Sequence, residues 1–298
     1  MYLTAEQQQQ LAAGYQPFAG FDEWADLRVD QRPWDKLSAR LSSRRTDLDP
    51  KQWAKVREMV IRTGMPDVAV LGGTDPDDMA LSPTHASWVQ ALVAKGHDGM
   101  RSLYEGELRA HALVLEAALD GTEPSEELFA KIHNELCSGQ QTFLVTTEQG
   151  EVLQQPIPGG EYKTLANHAV MSDGSLHPYA PPERAAAETE RFFGELSTDA
   201  FRRAHASVKA AYIMSAVSAI HPFSDGNGRA SRVLASLYHY REISLPLVVT
   251  NEQRGIYLEV MEKSYRSEFK PVVGFAFRLG ADAMIMVLDI MAGLASAE

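Results

Sequence analysis

His221-Pro222-Phe223-Ser224-Asp225-Gly226-Asn227-Gly228-Arg229-Ala230-Ser231-Arg232 lies between two helical stretches and decides how the chain is read. Upstream, Val208, Tyr212 and Ala216 repeat along one helical face, with Ile213, Val217 and Ile220 beside them. Pro222 ends that helix, because it disfavours the α conformation at His221 and has no N–H to donate. Downstream, Val233, Leu234, Leu237 and Tyr238 give the next helix a buried face. The bend therefore opens onto a helix N-terminus, where unpaired N–H groups and a partial positive charge favour phosphate. Gly226 and Gly228 let the backbone approach a bound group closely. Arg229 and Arg232, three apart on one face, can each grip phosphate oxygens in bidentate fashion. Asp225 offers the hard carboxylate oxygen that Mg2+ takes alongside substrate phosphates. His221 offers an imidazole able to accept a proton near neutral pH. Each residue alone is commoner in turns and on solvated faces than in active sites. Five matched parts within twelve residues point instead to phosphoryl-type transfer, whose catalysis is mainly positioning and charge neutralisation.

Other phosphate and metal motifs fit less well. There is no Gly-x-x-x-x-Gly-Lys, Arg229 stands where an EF-hand needs an oxygen ligand, and no βαβ strand precedes the bend. The remaining histidines, among them His168, His177, His205 and His239, show no metal-ligand spacing. The composition of the 298 residues, 45% hydrophobic and 23% charged, is that of a globular protein. Lys+Arg 28 against Asp+Glu 40 gives a formal charge of -12 with no basic run, which argues against a nucleic-acid partner. The single cysteine, Cys137, excludes a disulfide framework and a Cys-based zinc site, and is compatible with a reducing cytosol. MYLTAEQQQQ lacks a signal-peptide profile, and no apolar run is read as approaching the ~20 residues of a membrane span. A cytoplasmic protein with no membrane partner is the expectation.

Helical periodicity dominates the rest. Asp49-Pro50 opens a helix carrying Trp53, Val56 and Val60 on one face, and Gly64 closes it. Gly72 to Pro83 reads as a linker or exposed loop. Leu108, Ala112, Leu115 and Leu119 form an amphipathic stripe, and Ser125 caps a helix bearing Leu128, Phe129, Ile132 and Leu136. Phe143, Leu144 and Val145 face Val152 and Leu153 across a polar turn, a hairpin pattern. The Met-rich stretch Phe275 to Leu294 reads as a core helix, with a homodimer contact as the other reading. The fold class is mainly α, with a small hairpin. Residues 1–95 form an N-terminal helical extension, and the core runs over about 121–290.

HPFSDGNGRASR resembles the signature of the Fic (filamentation induced by cAMP) family at every defined position, and the likeness extends over roughly residues 100 to 290. IHNELC is similar to the helix before the family's flap, GGEYKT to its Gly-x-Tyr-Arg element with Lys163 replacing Arg, and NEQRGIYLEV to its nucleotide-contacting helix. The resemblance implies an all-α Fic core with a β-hairpin flap at about 141–172 and the motif at 221–232. It implies transfer of AMP from ATP to a Ser, Thr or Tyr hydroxyl of a target protein, with ATP and Mg2+ as cofactors. By that resemblance His221 is the general base and Asp225 holds Mg2+. Gly226, Asn227 and Gly228 form the anion hole, Arg229 and Arg232 take the phosphates, and Tyr257 lies near the adenine. Tyr162, Lys163 and the segment Thr164 to Met171 present the target. Gly228, where the kinase-like Doc branch has Lys, favours nucleotidyl transfer. Removal of AMP, transfer of UMP or phosphocholine, and a non-catalytic nucleotide-binding scaffold are the alternatives.

The resemblance also implies control. Many members carry a helix Ser/Thr-x-x-x-Glu-Gly/Asn whose glutamate covers the second arginine of the motif. Here residues 96–120 hold Arg101-Ser102-Leu103-Tyr104-Glu105-Gly106, so Glu105 is expected to pair with Arg232 and inhibit, although Arg101 stands where Ser/Thr is expected. A carboxylate there competes with the γ-phosphate for one fork of donors.

Overall fold

A computed structural model describes residues 5–64, 102–138, 142–146 and 152–295. The linker read at 72–83, the hairpin turn at 147–151 and Arg101 lie outside these residues. Three helices come first: α1 (Ala5–Ala13), α2 (Arg32–Arg45) and α3 (Pro50–Thr63), with a 3-10 turn at Phe21–Trp24 between α1 and α2. α3 begins as its sequence dictates. Asp49 accepts from Lys51 and Gln52 N–H groups while Gln52 bonds back to the Asp49 amide, a reciprocal cap with Pro50 in the first turn. Helix α4 spans 102–119, and Ser125 caps α5 (Glu126–Cys137) through the Leu128 amide.

The expected hairpin is present. β1 (Thr142–Thr146) pairs antiparallel with β2 (Val152–Pro156), Val145 opposite Leu153. A second short hairpin joins β3 (His168–Val170) to β4 (Leu176–Pro178). The rest is helical: α6 (Pro182–Leu196), α7 (Asp199–Arg203), α8 (Ala206–Ile220), α9 (Asn227–Ile243), α10 (Arg254–Tyr265) and α11 (Lys270–Ala295).

α8 is the axis of the molecule. Almost all of its residues are buried, and a helix apolar on every side belongs at the centre of a fold. α9 packs along one side of it and α11 along another. α11 meets the length and composition of a membrane span, 23 residues at mean hydropathy 1.6, which corrects the expectation that no apolar run is long enough. Its packing on α8 and α2 makes it a core helix: Val272, Ala276, Leu279, Met284 and Val287 are buried.

The N-terminal helices are part of this core. Phe21 meets Phe201 and Tyr212 edge-on at 4.9 and 5.1 Å, and Trp24 stacks on Phe269 at 4.3 Å. Trp34, Leu41, Trp53, Val56 and Val60 form a second cluster with Ile243, Leu245, Met284 and Val287. α4 departs from the reading of its stripe. Leu119 is 75% exposed and Ala112 is exposed, whereas Leu103, Gly106, Ala110, Val114 and Ala117 face inward. The buried face is the one made of small residues, and that is what permits a close approach. A Cβ at Gly106 would come within 2.6 Å of the Glu135 carbonyl on α5, so backbone lies against backbone there. Arg109 ties the same two helices, reaching Glu135 at 2.6 Å and Ser138 at 2.7 Å.

Buried histidines, His111 and His239 among them, give the fold a pH dependence. Burial pushes His111 and His239 down to about 3, and neither ring nitrogen of His239 has a partner among the described residues. Unfolded histidine binds its proton near pH 6.5, so the unfolded chain gains protons that the folded chain refuses. Stability is therefore full above about pH 6.5 and falls towards pH 4, by about 1.4 kcal/mol per pH unit for each histidine. Thermal unfolding at pH 7.5, 6 and 5 should show the midpoint descending, and a flat series would contradict these two burials.

Candidate active site

Two backbone features aim the bend between α8 and α9. α8 ends at His221, which adopts a left-handed conformation (φ 50°, ψ 58°), with its N–H on Val217 O at 2.8 Å. Gly226, the residue before α9, is also left-handed at φ 77°. Between them the carboxamide of Asn227 closes the loop. Its Oδ1 accepts from the Phe223 N–H at 2.9 Å, and its Nδ2 donates to the Phe223 carbonyl at 2.8 Å. Asn227 is 1% exposed, so its side chain serves the loop and its backbone amide is the part that belongs to the helix N-terminus.

Phe223 anchors the bend from below. It is buried, stacks on His133 at 3.8 Å and meets Phe129 at 5.0 Å. His133 is a strut the sequence reading missed. Its Nδ1 accepts from the Gly160 N–H at 2.9 Å, so Nε2 carries the proton and donates to the Asp225 carbonyl at 2.8 Å. The signal was available: in IHNELC, His133 falls on the same helical face as Phe129, Ile132 and Leu136, all buried.

The bend opens into one cavity, and His221, Asp225, Gly226, Asn227, Gly228, Arg229, Arg232 and Tyr257 all line it. The structure thus brings together every residue that the sequence assigned to catalysis, metal or nucleotide. His221 lies flat on Tyr179, rings 3.9 Å apart and 5° from parallel. Its Nδ1 faces the Ser218 carbonyl at 3.4 Å, an arrangement that leaves Nε2 as the proton acceptor. Burial, with the Lys163 charge next in weight, pushes the imidazole down to about 3 and keeps it neutral at physiological pH. The Asp225 carboxylate accepts from the Gly226 amide at 2.6 Å, at the rim of the unpaired amides of α9. The Arg229 guanidinium bonds the Leu136 carbonyl at 3.2 Å, and that of Arg232 lies 5.2 Å from the centre of the Tyr257 ring. Arg254 adds a third guanidinium to the cavity. Burial and the neighbouring Arg232 push it down to about 10, and its Nε has no partner among the described residues.

Two groups of expected residues are placed elsewhere. Glu105 is exposed and is not among the residues that line the cavity; Glu107 lines it. Glu107 is drawn electrostatically to Arg229 and Arg232, although burial outweighs them and holds its carboxyl above the usual range. Behind it, His111 Nε2 lies 3.9 Å from Glu107 Oε1, and Tyr240 holds the other nitrogen of His111 at 3.1 Å. The cause is helical phase. Glu107 is four residues after Leu103 and three before Ala110, on the inward face of α4, and Glu105 is off that face. Of Tyr162 and Lys163, expected to present the target, Tyr162 is half-buried and Lys163 is buried. Tyr162 donates to Glu126 at 2.5 Å and stacks on Phe223, and Lys163 is 3% exposed beneath the bend. The aromatic and aliphatic bulk of this segment closes off the bend from below.

Comparisons with known proteins bear on the fold and on the segment that carries the bend. The family model described as Fic/DOC family matches residues 122–239. A protein adenylyltransferase Fic from Drosophila persimilis is 30% identical over 135 residues, 45% of this chain and 25% of that protein. The match thus spans about a quarter of the curated relative's length. Among solved structures, a Fic domain-containing signaling protein from Bacteroides thetaiotaomicron aligns with a TM-score of 0.59 at 18% identity, covering 86% of this chain and 97% of that one. A Fic family protein from Desulfovibrio desulfuricans G20 aligns at 0.56 and 18% identity, covering 93% and 77%. At these identities the two structures share the fold.

Asn227→Ala should expose the dependence of the site on its loop. It strands the Phe223 N–H in a buried place and leaves the Phe223 carbonyl only the longer bond from Asn167 at 3.5 Å, at a cost of about 1–3 kcal/mol. The expected outcome is a lower unfolding midpoint together with weakened ATP binding by calorimetry. Unchanged binding would show that the bend keeps its shape without the carboxamide.

Proposed function

We propose that this chain, whose residues 122–239 match the Fic/DOC family model, is a protein adenylyltransferase, moving AMP from ATP to a hydroxyl side chain of a target protein. The observation that carries the proposal is the convergence, in one cavity, of a neutral imidazole with an open Nε2, the N-terminal amides of α9, and the guanidiniums of Arg229, Arg232 and Arg254. In the transfer, the target oxygen bonds to the α-phosphorus of ATP. Its proton passes to His221 Nε2, and the bond to the β-phosphate oxygen breaks to release pyrophosphate. The α9 amides and the arginines hold the phosphates and spread the negative charge that develops. Asp225 is a carboxylate beside an anion site, which would repel phosphate on its own. That donor suits a divalent cation, so Asp225 would hold Mg2+, which would supply neutralisation of the phosphate charge. Tyr257 forms part of the wall beside Arg232, where the nucleotide would lie.

We further infer that Glu107 restrains the enzyme, the role that the sequence suggested for Glu105. A carboxylate lining the cavity within electrostatic reach of Arg229 and Arg232 competes with the terminal phosphate of ATP for their charge. The experiment is auto-modification with labelled ATP and Mg2+. Glu107→Gly is expected to raise incorporation about tenfold, the factor that about 1.4 kcal/mol of lost competition supplies. Glu105→Gly is expected to leave it unchanged, and His221→Ala to abolish it. No incorporation in Glu107→Gly with ATP still bound would overturn the transferase reading. Activation by Glu105→Gly alone would overturn the assignment of the restraint. Mass spectrometry of the product names the group transferred.

A further inference from the structure

Lys163 is the only lysine buried among the described residues, and no carboxylate lies within ion-pair distance of it there. A buried ammonium without a counter-ion is expensive, and burial pushes this one down to about 7. Its contacts show where that cost is applied. The Lys163 N–H donates to the Pro222 carbonyl at 2.8 Å, and its Nζ reaches the Ile220 carbonyl at 3.4 Å. These are the carbonyls immediately before and after His221. The same Nζ donates to Asn167 Oδ1 at 2.6 Å and sits 5.8 Å from the centre of the Tyr179 ring, the ring on which the imidazole lies. His221 itself holds a left-handed backbone conformation, which costs a residue with a Cβ and persists only where the surroundings impose it.

We propose that Lys163 is a positioning residue for His221, clamping the two carbonyls that flank it so that the imidazole stays flat on Tyr179 with one nitrogen turned to the cavity. The clamp rests on the reading of His221 as the base. Lys163 does not line the cavity, so it acts through His221 and not on the nucleotide. Burial first, and the Lys163 charge after it, disfavour an imidazolium at His221, which keeps the acceptor nitrogen bare.

The test uses the full chain and two readouts. Side-chain nitrogen NMR, with the His221 signals identified by their loss in His221→Ala, reports the tautomer without any transfer reaction. The unaltered chain should show one protonated and one bare nitrogen. Lys163→Met should move both signals towards the average of the two tautomers, and Lys163→Arg should restore them. Asn167→Ala removes the nearest acceptor of the ammonium while keeping the lysine, and is expected to shift the same signals. Unchanged His221 signals in both Lys163→Met and Asn167→Ala overturn the clamp. In the Glu107→Gly background, Lys163→Met should lower kcat about tenfold or more while the KM for ATP stays constant, since misplacement of a reacting group is felt in the chemical step. A KM for ATP that rises in step with the fall in kcat also overturns it. If the Glu107→Gly chain transfers nothing at all, the adenylyltransferase reading fails, and the NMR comparison still decides on the clamp.

Discussion

The pair of hydrogen bonds between the Asn227 carboxamide and the backbone of Phe223 sets the geometry on which the site depends. Five residues are folded into a bend tight enough that the end of α8 and the start of α9 share one cavity. Neither helix supplies that closeness by itself. α8 would carry its last residues away from α9 without Pro222 and the left-handed turn at His221, and α9 needs the left-handed Gly226 to start where it does. With the bend closed, an imidazole and the first turn of α9 line one cavity. Burial then does the electrical tuning, since the same desolvation that neutralises His221 strengthens the field of the arginines.

Much of the bend is legible in the sequence alone. Pro222 after a helical face, two glycines, two arginines three apart and a helix beginning at Asn227 are local features, and local chemistry fixes them. The caps of α3 and α5 are legible for the same reason. What the sequence does not yield depends on contacts between distant segments. The stripe Leu108, Ala112, Leu115 and Leu119 is more apolar to the eye than Leu103, Gly106, Ala110, Val114 and Ala117, yet the second is buried. The reason is that α5 lies so near that only small residues fit between them. The resemblance points to Glu105, whereas the helical phase of α4 turns Glu107 to the cavity. Likewise, the glycines and charges of GGEYKT look like an exposed flap, and nothing local shows that Tyr162 and Lys163 fold under the motif loop.

The charge of the whole molecule and the charge of its cavity have opposite signs. A formal net charge of -12 is spread over the surface, while three guanidiniums line the cavity against the carboxylates of Glu107 and Asp225. A polyphosphate approaching from solution meets a repelling surface and a receptive interior. Affinity on this account comes from short-range, desolvated contacts, and long-range steering contributes little.

The contact at Gly106 has a consequence for how restraint could be lifted. α4 meets α5 backbone to backbone, with Arg109 fastened across the seam, so the helix cannot roll by degrees to take its glutamate out of the way. A rigid rod held at such a joint either stays latched or comes off whole. Under the proposed restraint by Glu107, release behaves as a threshold, and any side chain larger than hydrogen at residue 106 is a wedge against the α5 backbone, apart from the groups that line the cavity.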